Sequence, residues 1–428
     1  MGDLVAVLAE PNRRRLLELL VGGERTVGDL ATHFGVTRSA VSQHLRVLAD
    51  AGLVESRREG RFRHYHLIPE GMAALRASLD VFWSRELDEL ATATAPVVPR
   101  KGVSAMALEK SVVVPLGPDD TFALLTEPDR LRRWQVITAR IDLRAGGDYR
   151  WTVVPGHNAA GTVQEVDPGK RVVFTWGWQD TTDLPPGAST VTITLEPVDG
   201  GTLVRLVHEG LTDEQAERHA EGWEHFLGRL VEAARTGDAG PDEWVGGDSF
   251  DRLSAAEASL AVCQVVLRRL GHGDDTAPTP CAKFTVADVV DHLVGSLTHL
   301  GTMAGMPEGP LPTGPAEARV AGVSQRALEA WRLRGIEGTV PFGSGEMPAA
   351  VAADILSLEL LVHAWDVAEA TGQTIEVSDA LSGFVLERGR EVIQPGARDG
   401  DRFGPEVAVG PDADNLRRLA AFTGRPVT

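Results

Sequence analysis

The chain has 428 residues, 43% of them hydrophobic and 24% charged, with a formal net charge of −19. That length exceeds what one ordinary core supports, so two or three domains are expected. There is no apolar run near the ~20 residues needed to cross a bilayer and no charged start followed by an apolar signal segment. A cytoplasmic protein with no membrane partner is therefore expected. The two cysteines, Cys263 and Cys281, show no metal-ligand spacing and give no sign of a disulfide framework.

The charge is unevenly divided. Residues 1–100 hold 13 Lys/Arg and 13 Asp/Glu, residues 101–240 hold 14 and 21, and residues 241–428 hold 15 and 27. The acidity lies behind the N-terminal region, which can therefore meet a polyanion, with binding that is modest and salt-sensitive.

Leu4, Val7 and Leu8, then Leu16, Leu17, Leu19 and Leu20, bracket Pro11, which can open a second helix because its missing N–H does no harm there. Arg13 to Arg15 either touch phosphates or are solvated. From Thr26 to Leu67 the pattern is helix, turn, helix and basic hairpin. Val27, Leu30, Ala31 and Phe34 repeat at helical spacing. Gly35 suits the end of that helix, and Thr37 suits the cap of the next. In the second helix Val41, Leu45 and Leu48 face inward, and Ser39, Ser42, Gln43 and Arg46 fall on another face. Short polar groups and a guanidinium suit base edges and phosphates in a major groove. Gly52 ends the helix. Val54 to Arg58 and Arg61 to Leu67 are expected to be strands joined at Glu59-Gly60. Arg57, Arg58, Arg61 and Arg63 cluster at the hairpin tip, suited to phosphates. This is a winged helix-turn-helix, a shape that reads DNA. Residues 69–91 carry Met72, Leu75, Leu79, Trp83, Leu87 and Leu90 at steps of three and four, an amphipathic helix that needs a partner chain to bury against.

The stretch Val5–Leu90 resembles the ArsR-type winged-helix repressors, most specifically in VTRSAVSQHLRVLADAGLVESRREGR. The resemblance implies that the second helix enters the major groove of double-stranded DNA and that the hairpin is the wing. It further implies a homodimer formed through the first and last helices of the domain. The implied DNA-binding set is Thr37, Arg38, Ser39, Ser42, Gln43, His44, Arg46, Arg57, Arg58, Arg61 and Arg63. Some such repressors sense metals through thiolates in the recognition region, but no cysteine precedes Cys263 here. The last helix offers Asp80 and Glu86 without a histidine, so a signal is expected to arrive elsewhere.

Residues 92–105, rich in small residues and proline, are expected to be a linker. Ala107 to Val114 is strand-like, and Pro118 to Leu125 and Asp129 to Trp134 suit short helices. Strands are then expected at Ala139–Leu143, Gly147–Val154, Gly161–Asp167, Arg171–Trp176, Ser189–Pro197 and Gly201–Glu209. A long helix over Asp213–Ala234 follows, with Trp223, Phe226, Leu227 and Leu230 inward. A curved antiparallel sheet around one helix is the economical solution for residues 106–235. FALLTEPDRLRRW, RAGGDYRW, GTVQEVDPGKRVVFTW, STVTITLEP, GGTLVRLVHEGL and EGWEHFLGRL resemble the START-like helix-grip fold, within it the activators of heat-shock-protein ATPase homologues. The resemblance implies an apolar cavity for a small-molecule effector, with Trp134, Trp151, Trp176, Trp178, His208 and Phe226 as candidate walls. The same residues also suit plain core packing. His157 and His208 can orient a ligand, but no nucleophile and general base stand together, so no catalytic residue is assigned.

A second linker is expected over residues 236–248, and a helical domain over 249–428. Asp251–Gly271, a helix capped by Thr285 with Val286, Val289, Val290, Leu293 and Leu297 inward, Ala316–Leu333 and Asp354–Gln373 suit a four-helix bundle. Pro341–Pro348 is expected to be a loop, and the C-terminal extension irregular. Glu359 and His363 are four apart and share a helix face, and His292 sits among apolar neighbours on another helix. Together they can hold a divalent metal with one position open, although such residues in a bundle are also commonly structural. PCAKFTVADVVDHLVG and LELLVHAWDVAEATGQ resemble the DinB-like proteins of the mycothiol-dependent maleylpyruvate isomerase N-terminal type. That implies His292, Glu359 and His363 as ligands of zinc, mycothiol as the thiol it activates, and Asp366 as a supporting group.

The expected architecture is thus multidomain, α and α+β: a winged helix-turn-helix, a START-like helix-grip domain and a DinB-like four-helix bundle. The expected function is a ligand-responsive DNA-binding transcriptional regulator, a repressor. The alternative is a metal- and mycothiol-dependent transferase or isomerase that carries a DNA-binding module.

Overall fold

Short-range signals account for most of the elements in the computed structural model, which describes residues 11–21, 23–31, 38–59, 62–68, 71, 107–179, 181–281, 283–343, 345–393, 398 and 403–427. The expected helix over 69–91 (Gly71 apart), the linker over 92–105, Thr37 and Arg61 lie outside the described residues. The chain divides into two compact units, Met1–Ser104 and Ala105–Thr428.

In the first unit, helix α1 (Pro11–Val21) begins at Pro11. Strand β1 (Arg25–Thr26) leads into α2 (Val27–Ala31), where Thr26 and Asp29 cap each other: the Asp29 N–H donates to Thr26 Oγ1 at 3.2 Å and the Thr26 hydroxyl donates to Asp29 Oδ2 at 2.7 Å. Helix α3 (Arg38–Asp50) stops before Gly52, which takes φ +73°. Strands β2 (Val54–Glu59) and β3 (Phe62–Leu67) pair antiparallel, and β1 joins the free side of β3, giving the order β1-β3-β2. Leu16, Leu20, Leu30, Val41, Leu45, Leu48 and Leu53 form the core.

In the second unit, β4 (Leu108–Val114), α4 (Pro118–Thr126), α5 (Pro128–Leu131), β5 (Thr138–Ile141), β6 (Asp148–Val154), β7 (His157–Asp167), β8 (Arg171–Trp176), β9 (Ser189–Val198) and β10 (Gly201–Glu209) precede the long helix α6 (Asp213–Thr236). The sheet runs β4-β10-β9-β8-β7-β6-β5, and every neighbouring pair is antiparallel. Alternation along β9 and β10 puts Val191, Ile193, Leu195, Val204, Leu206 and His208 on the inner face. Helix α6 lays Trp223, Phe226, Leu227 and Leu230 against that face. The period is two on the strands and 3.6 on the helix, so each element offers one apolar side.

Helices α7 (Arg252–Arg268), α8 (Val286–Met303), α9 (Ala316–Arg334) and α10 (Ala349–Thr371) share a second core. Thr285 caps α8, its side chain accepting from the Asp288 N–H. Three expectations are corrected. Pro341–Pro348 lies in a hairpin, β11 (Thr339–Phe342) with β12 (Gly345–Pro348). The C-terminal extension contains α11 (Asp379–Val392) and α12 (Asn415–Phe422), which bury Leu381, Val385, Leu419 and Phe422 against α10. The stretch 236–248 is folded: Trp244 stacks on His225 with ring centroids 4.0 Å apart, and His225 meets Asp242 at 2.9 Å. An indole in a polar stretch finds its apolar contacts only in three dimensions.

Buried polar links join sheet and bundle. Arg132 donates to both oxygens of Glu317 at 2.8 and 3.0 Å, with the two side chains 4% and 7% exposed. The carboxylate of Glu257, wholly buried, accepts the Gly156 N–H at 2.7 Å and meets Arg332. Gln264 donates to the Ile137 carbonyl at 2.8 Å.

His208 is also wholly buried. Its Nδ1 accepts from the Trp223 indole at 3.1 Å, so Nε2 carries the proton and donates to Ser189 Oγ at 2.9 Å. Burial, helped by the charge of His219, pushes the His208 pKa down to about 3.

Two outcomes are expected. Glu317→Ala takes from Arg132 its buried partner and leaves it only the exposed Asp129, at 2.9 Å, which should cost up to about 3–5 kcal/mol in denaturant unfolding, whereas Arg132→Met with Glu317→Leu should cost far less. Because His208 binds its proton in the unfolded chain near pH 6.5 but in the fold only near 3, stability should fall as pH drops through that window. This one group contributes a slope of up to about 1.4 kcal/mol per pH unit. His208→Asn should flatten the profile by that amount, read from unfolding curves at a series of pH values.

Candidate functional site

Helix α3 has two faces. Val41, Leu45 and Leu48 have no exposed surface, while Ser42, Gln43 and Arg46 are exposed and His44 is half-buried. Arg38 and Ser39 fall in the first turn of α3, where the structure describes the backbone alone. The wing pairs Val54 with Leu67, Ser56 with Tyr65 and Arg58 with Arg63 on one face, and Glu55 with His66 and Arg57 with His64 on the other. Pairing reaches Glu59–Phe62, one position beyond the expected strand end. Arg57, expected to meet phosphate, is held in the free protein by an ion pair. Its Nη2 and Nε donate to the two oxygens of Glu24 at 3.0 and 3.4 Å, and that hydrogen bond holds the Glu24 carboxyl below its ordinary pKa. His66 stands between Glu55 at 2.9 Å and Glu24 at 3.5 Å.

The sheet domain has a half-open cavity of about 600 Å³. Trp176, Trp178, Trp223, Phe226 and Trp244 wall it, and His157, Asn158, Asp183, Arg218 and His219 supply polar groups. Of the candidate walls, Trp176, Trp178 and Phe226 line it. Trp151 instead fills the core, with its ring tilted 4.5 Å from Tyr149 and edge-on to Phe174 at 5.4 Å. His208 lies behind the wall and holds Trp223 in place. Trp134 faces a separate cleft of about 530 Å³ between sheet and bundle. Trp223 and His219, one helical turn apart on α6, and Trp244, from the stretch expected to be a linker, also line the larger cavity and were not among the candidate walls. His219 Nδ1 lies 2.7 Å from the Gln215 carbonyl and so carries the proton, leaving Nε2 to accept from Trp178 at 3.3 Å. Burial lowers the His219 pKa, which favours the neutral ring. Arg218 pairs with Asp183 at 2.6 Å.

In the bundle, His292 from α8 and Glu359 and His363 from α10 come together. One ligand atom from each lies within 4.8 Å of the others. His292 Nε2 is 2.9 Å and His363 Nε2 3.8 Å from Glu359 Oε2. Burial pushes the Glu359 carboxyl up, but the hydrogen bond from His292 and the charges of both imidazoles outweigh it, and its pKa is lowered. The Glu359 hydrogen bond in turn raises that of His292. His363 Nδ1 is held by Asp366 at 2.9 Å, and Arg425 donates to both Asp366 oxygens at 3.1 and 2.8 Å. With Nδ1 so engaged, Nε2 is the nitrogen turned to the cluster. Two imidazoles and a carboxylate, with a carboxylate behind one imidazole, fit a zinc ion that keeps an open fourth position.

Residues 10–56 match the family described as bacterial regulatory protein, arsR family, and residues 116–235 match that of the Activator of Hsp90 ATPase homolog 1-like protein. The HTH-type transcriptional regulator Rv2034 of Mycobacterium tuberculosis is 51% identical over 80 residues, covering 19% of this chain and 75% of that protein. The transcriptional repressor SdpR of Bacillus subtilis is 37% identical over 67 residues, 16% and 74% of the two chains. The uncharacterized protein Rv0738 of M. tuberculosis is 32% identical over 183 residues, 42% of this chain and 100% of that one. Among solved structures, an AHSA1-like protein from Rhizobium etli is 35% identical and covers 34% of this chain and 91% of that one, with a TM-score of 0.29. No helix among the described residues is long and apolar enough to cross a membrane. The chain belongs to the arsR family of bacterial regulatory proteins and carries an AHSA1-like helix-grip domain behind its winged helix.

Proposed function

We propose that the protein is a ligand-responsive transcriptional repressor that binds double-stranded DNA as a homodimer, taking a small-molecule effector in the aromatic cavity and zinc at His292, Glu359 and His363. The observation that carries this is the division of α3. One side is wholly core, and the other offers Ser42, Gln43 and Arg46 beside a wing that bears Arg58 and Arg63. Short polar groups and guanidinia on the open face of such a helix can read base edges while the wing holds the backbone. The neutral charge of residues 1–100 in a chain of net −19 keeps repulsion away from that face. Similarity to the transcriptional repressor SdpR supports repression as the sense of control. Effector or metal would bias the dimer between two geometries with different affinity for DNA.

A second reading has its own support in the Asp366–Arg425 pair behind His363. A zinc ion at the triad would lower the pKa of a bound thiol such as mycothiol and hold it as the thiolate. Asp366 would keep the His363 tautomer and Glu359 would offset the metal charge, as in a thiol-dependent transferase or isomerase.

Full-length protein and a labelled fragment from upstream of its own gene, titrated over a salt series with and without zinc, test the first reading. Sequence-selective, salt-dependent binding is expected. Gln43→Ala or Arg46→Ala should lose about 1–3 kcal/mol of discrimination against a wrong base. Undiminished discrimination in both variants would remove those residues from base reading. Absence of binding at low salt would leave the thiol enzyme as the better reading. Zinc calorimetry tests the triad: His363→Ala should abolish stoichiometric binding, and Asp366→Asn should weaken it about 10–100-fold. Unchanged zinc affinity in both would end the metal assignment.

A further inference from the structure

The wing's arginines are not equivalent. Side chains alternate across a strand, so register sorts them onto two faces. Val54 and Tyr65 are core residues, which turns their face toward the helices. Arg58 and Arg63 lie on that same face, two positions farther along the hairpin, directly opposite one another and exposed. They stand side by side on the side where β2 packs against the DNA-reading helix α3, where one phosphate could reach both guanidinium groups. Arg57 lies on the outer face with Glu55, His64 and His66. Its partner Glu24 comes from 33 residues earlier, just before β1. Because the sheet order is β1-β3-β2, this ion pair crosses β3 and ties one edge strand to the other.

We infer that Glu24 is a positioning residue for DNA binding: its bridge to Arg57 straps the three-stranded wing sheet and sets its angle, so that Arg58 and Arg63, and not Arg57, meet the DNA backbone. This rests on the DNA-binding reading given above. The strap pairs two exposed groups, with side chains 57% and 31% accessible. Exposed pairs add little to global stability, so its effect belongs to wing geometry rather than to melting. The alternative is simple electrostatics, in which Glu24 is a repulsive charge near DNA and Arg57 a phosphate contact.

The two predict opposite results. Full-length protein is titrated across a salt series with the upstream fragment and with a duplex of unrelated sequence. Arg58→Ala and Arg63→Ala should each make the slope of log K against log salt shallower by about 0.9, one phosphate contact apiece. Arg57→Met removes the same strap and should weaken binding as Glu24→Gln does, and the double variant Glu24→Gln with Arg57→Met should be no weaker than either single one. Glu24→Gln, although it removes a negative charge, should weaken binding at every salt concentration. The swap Glu24→Arg with Arg57→Glu should restore it. Tighter binding by Glu24→Gln, or losses from Glu24→Gln and Arg57→Met that add in the double variant, would overturn the inference. If the unsubstituted protein binds neither duplex, the regulator reading fails first and takes this inference with it.

Discussion

The second unit depends on a pair of charges withdrawn from water where sheet meets bundle. Arg132 lies just past α5 and Glu317 at the start of α9, 185 residues apart, and both are buried. Each needs the other, since a buried charge stripped of its buried partner costs about 3–5 kcal/mol, a large share of the net stability of a domain. The helix-grip sheet and the helical bundle are therefore placed by each other. Glu257 repeats the device: its buried carboxylate on α7 takes the backbone N–H of Gly156 at the tip of the β6–β7 hairpin.

This junction shapes the cavity. Gly156, His157 and Asn158 lie on its rim, so a bundle residue holds part of the wall of a sheet-domain site. Trp244, contributed by the stretch between the two folds, closes another side. Behind the wall, the Trp223–His208–Ser189 chain of hydrogen bonds converts a buried histidine into a support for an indole. The cavity is thus built from the AHSA1-like domain together with what packs against it.

Charge distribution separates the two units in chemical character. Residues 1–100 are neutral, with arginines at the wing, whereas residues 241–428 hold 27 acidic against 15 basic residues. Within the acidic part, carboxylates are put to distinct uses: Glu317 and Glu257 join folds, Asp366 fixes a histidine tautomer, and Glu359 stands between two imidazoles. Which use a carboxylate serves follows from its neighbours in space, since the residue type is the same in each case.

Much was legible in the amino-acid sequence, and for one kind of reason. The recognition helix, the Gly52 stop, the Thr285 cap, the alternating strands and the inward face of α6 follow from periods of two and 3.6 and from local capping, which involve residues a few positions apart. Glu359 and His363 share a face for the same reason. What tertiary structure alone decided involves partners distant in sequence. Trp151 and His208 became core while Trp223 and Trp244 became cavity wall, because an inward-facing residue of a curved sheet can meet either a neighbour or a void. Arg57 parted from Arg58 and Arg63 because strand register and Glu24, not composition, determine what a wing arginine faces. Residues 236–248 folded instead of linking because Trp244 found His225 and Phe226. Local periodicity orients a side chain relative to its own element; only the packing of elements decides what stands opposite it.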